Sequence, residues 1–446
     1  MVDANLLAPA QATTPRNNEA FTRAMQLQPG DDWLRRSIRT DAGTLYQREN
    51  TTLHLSNDGW VRTDGTPGLS RLNAGTTLLQ VNHPLQNGVA FIRADHIRLD
   101  AGTFETTANG EIDERFGTCV FPGLDAQGTT QSLPGCTTGL RQKVQGTSFA
   151  LGWQGDRFGF DIGRTPQSFP VSNWVGGVNL QGDLGQAGWS LDLSRRPMSN
   201  SLLSLAGATD PRTGIVWGGA LATGATLGLS WDQGEAHGVW ASLGHHRITG
   251  TNVAANQRTR IMGGYYHRLI NEPDRLLTVG VNAMHWRYQR DLGGYTLGQG
   301  GYYSPQRYSS VSLPVSYAQR TDNWSFAVRG SVSRSVASSR DEPFYPLDNL
   351  IVGPAAALQQ RGVTAAGLQA ANTSTGTTSG DWGYTLSGMV ERRLNGHWVV
   401  GAGFDLQRGQ DYTPSRFMLY LRYTLQPWRG SLPLGPIPLT PYADFN

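Results

Sequence analysis

The sequence predicts an all-β protein: a transmembrane, antiparallel, up-and-down β-barrel of about sixteen strands with a short N-terminal helical lead. Three observations carry the prediction. Residues 417–425 put Phe417, Leu419, Leu421, Tyr423 and Leu425 on one face of an extended chain, and Met418, Tyr420, Arg422 and Thr424 on the other, because strand side chains alternate with period two. One face suits lipid and the other water, over roughly the 9–11 residues a tilted strand needs to cross a bilayer. The pattern recurs at 324–332, 382–390 and 398–406, each opening on a tryptophan suited to a membrane interface. Hydrophobic residues make up only 38% of the chain and no apolar run approaches the ~18 residues of a membrane helix, so any spanning element is a strand. The 56 glycines, 13 tryptophans and 15 tyrosines fit tight turns and aromatic girdles. A soluble sandwich or propeller also alternates, and one segment's alternation does not decide between them.

Residues 1–42 read as a periplasmic linker carrying a short helix. Residues 9–17 are polar; 18–27 would place Phe21 and Met25 on one helix face, with Asn18 as cap and Pro29-Gly30 as the stop. The barrel follows over 43–427. Its strands are expected at 51–63, 68–84, 88–103, 146–155, 157–166, 174–183, 186–196, 214–232, 236–246, 258–270, 275–289, 306–320, 322–335, 380–395, 397–408 and 414–427. The segment 214–232 is the weakest, because Thr223-Gly224 inside it would divide it and break the even count. Gln86-Asn-Gly88, Gly155-Asp156, 183–186, 271–274, 320–323 and Asn395-Gly396 read as tight hairpin turns. Most alternate connections are longer, at 104–145, 197–213, 247–257, 290–305 and 336–379. Short turns on one side and long loops on the other put both chain ends in the periplasm.

The loop 336–379 offers Pro354-Ala-Ala-Ala-Leu-Gln-Gln-Arg361 as a turn or two of helix, then a Thr/Ser/Gly-rich stretch, 372–380, expected to be mobile. It is either a lid over the pore or a disordered surface loop. The tail, 428–446, is too proline-rich for a ladder strand, with Pro433, Pro436, Pro438 and Pro441. Leu432, Leu434, Ile437, Leu439, Tyr442 and Phe445 make it apolar for a solvated end. It either folds back into the lumen, narrowing the resting pore, or hangs free in the periplasm.

Net charge is only +3, which gives no argument for a nucleic-acid partner. Lys143 is the only lysine and Val144 follows it, so no phosphate-binding Gly-Lys-Ser/Thr loop exists. The nine histidines lack metal-ligand spacing, and no cofactor or metal is implied. His54 and Ser56 share a strand face, an arrangement that barrel phospholipases use, yet no orienting group or oxyanion site accompanies them. Cys119 and Cys136 lie in one loop, consistent with a disulfide in an oxidising compartment. The start, Met1-Val-Asp-Ala-Asn-Leu-Leu, has neither the basic residues nor the apolar core of a secretory signal, so the chain reads as part of a longer parent protein or a fragment.

Alternation turns Asp161, Asp192, Arg329, Glu391, Asp405, Tyr420 and Arg422 toward the lumen, with Trp286 and Tyr288 near the upper end of 275–289. Tyr302 and Tyr303 complete the candidate channel lining. Sugars suit such a wall: their C–H faces stack on rings, and carboxylates and guanidiniums hydrogen-bond their hydroxyls. Mixed charge signs favour a neutral polymer over a polyanion. Any water-filled barrel has a polar interior, and a general porin is the plainer reading.

Phe169-Pro-Val-Ser-Asn-Trp-Val-Gly-Gly177 is more specific than alternation. So are Ser194-Arg-Arg-Pro-Met-Ser-Asn-Ser-Leu-Leu-Ser204 with Asp210-Pro and Trp217-Gly-Gly219, and Gly300-Gly-Tyr-Tyr-Ser-Pro-Gln-Arg-Tyr308. Together, from about residue 40 onward, they resemble the C-terminal domain of the cellulose synthase operon protein C family. The resemblance implies a monomeric outer-membrane porin, in contact with outer-membrane lipid, that exports newly made cellulose without cofactor or catalysis. Contact with the periplasmic part of the synthase complex is a further implication. Family members carry tetratricopeptide repeats before the barrel; the residues ahead of this one are too few for two repeats of ~34 residues.

Overall fold

The computed structural model describes residues 1–3, 5–9, 19–28, 30–124, 127–137, 140–409 and 412–442. Sixteen long antiparallel strands close into one barrel. They are β1 (Thr52–Arg62), β2 (Leu72–Leu85), β3 (Gly88–Thr103), β4 (Arg141–Gln154), β5 (Phe158–Arg164), β6 (Trp174–Leu184), β7 (Ala187–Pro197) and β8 (Val216–Asp232). Then come β9 (His237–Thr251), β10 (Val253–Asn271), β11 (Arg275–Tyr288), β12 (Arg307–Arg320), β13 (Trp324–Ser338), β14 (Thr378–Arg393), β15 (Trp398–Arg408) and β16 (Ser415–Thr424). Each pairs with the next, and β1 pairs with β16 from Thr52↔Thr424 to Val61↔Ser415, so no sheet edge is left open. Every expected strand has its counterpart. The doubtful segment stays whole as β8, because Thr223 and Gly224 continue the ladder to Arg195 and Ser194 on one side and to Arg247 and His246 on the other.

One expected loop is absent. Residues 247–257 are not a long connection: β9 runs to Thr251, β10 starts at Val253, and Asn252 turns the chain at φ 49°. Arg247 and Ile248 pair with Gln257 and Asn256, so the ladder extends beyond the height that lipid requires. Asparagine is one of the few residues that adopts this left-handed conformation readily. At the opposite end, Gln86 and Asn87 both have positive φ, the geometry of a type I′ hairpin that matches strand twist.

The outward face is lipid-like. Ile92, Leu419 and Phe149 are 70%, 65% and 64% exposed, and Trp174, Trp324 and Trp382 stand among them. A continuous apolar belt of this kind marks a surface meant for a bilayer. No helix among the described residues is long and apolar enough to span one, leaving the strands to do so.

The long loops at one end share a single apolar core. Leu69, Phe104, Phe116, Trp217, Leu297 and Tyr345 are all buried in it, although they come from four connections and the start of β8. Cys119 and Cys136 are disulfide-bonded inside this core, with Cα atoms 4.8 Å apart. Two helices from the longest loop, α4 (Val352–Gln360) and α5 (Ala365–Ala371), lie against it, and the Tyr345 hydroxyl donates to the Val120 carbonyl at 2.6 Å. A shorter helix, α3 (Leu202–Ala206), is buried within the barrel mouth behind a Ser201–Ser204 capping box. The 372–380 stretch, expected to be mobile, is held by pairing of Thr373 and Ser374 with Pro343 and Glu342, and Thr378 already belongs to β14.

The N-terminal lead holds α1 (Glu19–Arg23) and α2 (Trp33–Arg48). Asn18, Pro29 and most of the 9–17 linker lie outside the described residues. The helix α2 leaves no period in the sequence: Trp33, Leu34 and Leu45 stay exposed and only Gly43 and Tyr46 are buried, so no apolar stripe announces it. Asp32 caps it through the Arg35 amide. Tyr46 stacks on Trp428, tying the lead to the start of the tail.

Candidate functional site

The inward faces of the strands build a polar wall that includes several matched charge pairs. Glu391 on β14 is fully buried; it accepts from the Tyr420 hydroxyl and from Arg422, both at 2.8 Å and both on β16. Gly401 of β15 lies between them in register, and a side chain there would sit 2.1 Å from the Tyr420 ring. The glycine therefore lets the tyrosine lie flat across the strand and reach the carboxylate. Asp161 on β5 takes a two-pronged bond from Arg196 on β7, with 2.6 Å to each oxygen. Arg93 and Asp95 on β3 form a second fork at 2.7 and 2.9 Å, and Arg416 reaches Asp58 at 2.7 Å. Forked guanidinium–carboxylate pairs neutralise one another while leaving donors and acceptors on the surface.

The other sequence-predicted residues are placed as follows. Asp192 accepts from Ser194 and Asp405 from Gln407, each two residues along its own strand. Arg329 faces inward and is exposed. Trp286 packs on Tyr308, which also meets Tyr303, giving a run of rings near the loop end. Tyr288 and Tyr302 differ from expectation: at 2% and 0% exposure they are packed with Met198, Ile248 and Leu292 and present no face to the lumen. Tyr302 is held there by Asn256. Alternation correctly turned Tyr288 inward but had no means of seeing that loop residues cover it.

Sequence reasoning missed Arg93, Asp95, Arg196, Asp58 and Arg416. The same alternation that singled out Asp161 was the available signal for each of them. The most consequential omission is how the tail uses them. Arg320 donates to the Leu432 carbonyl and Ser325 to that of Pro433, both at 2.8 Å, beside the short-turn end. Gly435, at φ 87°, passes Ala327 and Ala318, small inward residues that leave it room. Arg93 then donates to the Thr440 carbonyl, the Tyr442 amide donates to Asp95, and the Tyr442 hydroxyl bonds Asp161. The tail thus threads the lumen from the short-turn rim to the middle of β3. Burial, and then the Asp161 carboxylate, push the Tyr442 phenol up, so it remains a donor. Phe445 is outside the described residues.

His54 and Ser56 both face the lumen, opposite Arg422 and Tyr420 of β16 and away from lipid. His54 contacts Thr52 at 3.1 Å. Among the described residues no group of three or more His, Cys, Asp or Glu side chains is arranged to hold a metal.

The chain is 43% identical to cellulose synthase operon protein C of Salmonella typhimurium and 41% identical to that of Escherichia coli, over 99% of its length in both cases. A relative of the same name from Xanthomonas axonopodis is 29% identical over 91% of the chain. The chain spans only about a third of these relatives, 36% of the first two and 28% of the third. Among solved structures it is similar to a bacterial polysaccharide outer membrane secretin, with TM-score 0.47, 10% identity and coverage of 84% of this chain and 99% of that one. The outer-membrane OmpT of Vibrio cholerae aligns at TM-score 0.35 and 10% identity, over 84% of this chain and 96% of that one. The family model for the cellulose synthase operon protein C C-terminus matches residues 70–426, nearly the whole barrel, and the chain belongs to that family.

Proposed function

We propose that the barrel is an outer-membrane conduit through which a β-1,4-glucan leaves the periplasm. The observation that carries this reading is the matched polar wall: forked pairs at Asp161–Arg196 and Arg93–Asp95, and the Glu391–Tyr420–Arg422 cluster. Such a wall has little net field to trap ions but many hydroxyl-like partners, which suits a neutral polymer of hydroxyls. Trp286, Tyr308 and Tyr303 add ring faces near the loop end. Many weak sites in series let a chain slide, whereas one tight site would hold it.

In this reading the short turns and both chain ends face the periplasm, the long loops face outward, and a single barrel suffices. The push comes from polymer synthesis at the inner membrane, and the N-terminal lead faces the synthase complex. The test is conductance of the purified barrel in planar bilayers, with cello-oligosaccharides and malto-oligosaccharides as blockers. Block by the first alone supports the conduit. Equal block by both points to a general porin or an exporter of another polysaccharide. Phospholipid hydrolysis lost in His54→Ala would replace this reading by a lipid hydrolase.

A further inference from the structure

Where the short-turn ends of β12, β13 and β14 meet, a cavity of about 540 Å³ crosses the rim of the barrel wall. Trp324, Arg392 and Leu394 line it from the lipid-facing side, and Arg320, Arg393 and Arg429 from the inner side. Four guanidiniums therefore face two carboxylates, Asp274 and Asp322, and Asp322 already accepts from Gln26. Arg393 is only 4% exposed; one amino group donates to the Gly430 carbonyl, and its buried Nε has no partner. The Nε of Arg429 is likewise buried and unpartnered, although its terminal nitrogen reaches Glu19 at 3.3 Å. Arg320 spends its donors on the carbonyls of Leu432 and Pro273. Among the described residues, neither Arg320 nor Arg393 has a carboxylate within ion-pair distance.

A buried guanidinium without an anion is costly, and four guanidiniums set against two carboxylates around one roomy polar cavity call for an oxyanion. We infer that this cavity binds the phosphate of a phospholipid headgroup at the short-turn face of the membrane. Clustered arginines match the tetrahedral, multi-acceptor oxygens of a phosphate better than a single carboxylate. The lipid source follows from the wall. Trp324 and Leu394 are 42% and 54% exposed on the outer surface, so acyl chains leaving the cavity continue directly onto the apolar belt. Arg392 lies 5.0 Å over the Trp324 ring, at the depth where aromatic anchors meet headgroups. The site does not depend on what passes through the lumen.

Native mass spectrometry of the full chain in detergent tests it, with dioleoyl phosphatidylglycerol, dioleoylglycerol and inorganic phosphate as probes. The wild-type barrel is expected to retain phosphatidylglycerol and release dioleoylglycerol. Arg392→Gln and Arg429→Gln should each weaken retention by about tenfold, the loss of one charge-assisted contact. Both substitutions leave buried Arg393 in place, and heat-modifiable gel mobility verifies that each variant barrel is closed. Arg392→Lys, which keeps the charge, should restore part of the retention. Equal retention of the phosphate-free lipid, or unchanged affinity in both glutamine variants, overturns the proposal. So does saturable binding of inorganic phosphate with no retained lipid.

Discussion

The Tyr442 hydroxyl donates a hydrogen bond to Oδ2 of Asp161, joining the last described stretch of chain to the inner wall of β5. Gly163, two residues on, has no side chain to obstruct the tyrosine: a Cβ there would lie 2.8 Å from its ring. The tail is therefore seated in the lumen and takes up part of its cross-section.

Removing residues 433–446 is expected to raise single-channel conductance in planar bilayers. That cut keeps Trp428 on Tyr46, so the lead stays attached. Tyr442→Phe should act in the same direction but less, since it removes one charge-assisted bond of about 1.5–3 kcal/mol. Conductance unchanged in the truncated barrel would mean that the tail does not restrict flow.

Gly401→Ala should destabilise the barrel. The new methyl would collide with the Tyr420 ring and pull its hydroxyl from Glu391, leaving a buried carboxylate less satisfied at a cost of about 1–3 kcal/mol. Lower thermal stability of the folded band on unboiled gels is the expected result. Tyr420→Phe with Gly401→Ala should cost little more than Gly401→Ala alone, because both remove the same bond.

Arg422→Met is expected to cost about 3–5 kcal/mol, because it removes one partner of a buried ion pair and leaves the fully buried Glu391 without its cation. Adding Glu391→Gln should recover much of that loss. If the double variant melts no higher than the single one, the pair is not the source of the effect.

Trp286→Ala should leave assembly normal and reduce polymer secretion in cells that carry the complete export system. Its ring lies tilted against Tyr308 and packs only partly buried on the neighbouring loop core, so the strand ladder does not depend on it. Undiminished secretion would exclude ring stacking at this position as a guide.

Replacing Cys119 and Cys136 by serine should destabilise the loop core by roughly 3 kcal/mol on the loop-closure account. Alkylation followed by mass spectrometry of protein from membranes should find no free thiol in the parent chain. Two alkylated cysteines there would contradict the bond.

The sequence by itself determined the strands, their inward and outward faces and the short turns. These are local properties: a residue's side in a strand follows from its parity, and Gln86-Asn87 turns by its own backbone preference. Glu391, Tyr420 and Arg422 were each legible as inward residues for that reason. Their union was not, because it needs β14, β15 and β16 in one register with a glycine between. The helix α2 was hidden because it buries too narrow a face to leave a period. Tyr288 and Tyr302 passed for lumen lining because only loop packing covers them. The tail's seat was decided furthest from any local rule: sequence alone left it free or folded back. Tyr442 meets Asp161 across 281 residues of chain, a contact that exists only once the barrel has closed and presented Asp95, Asp161 and Arg196 to one interior.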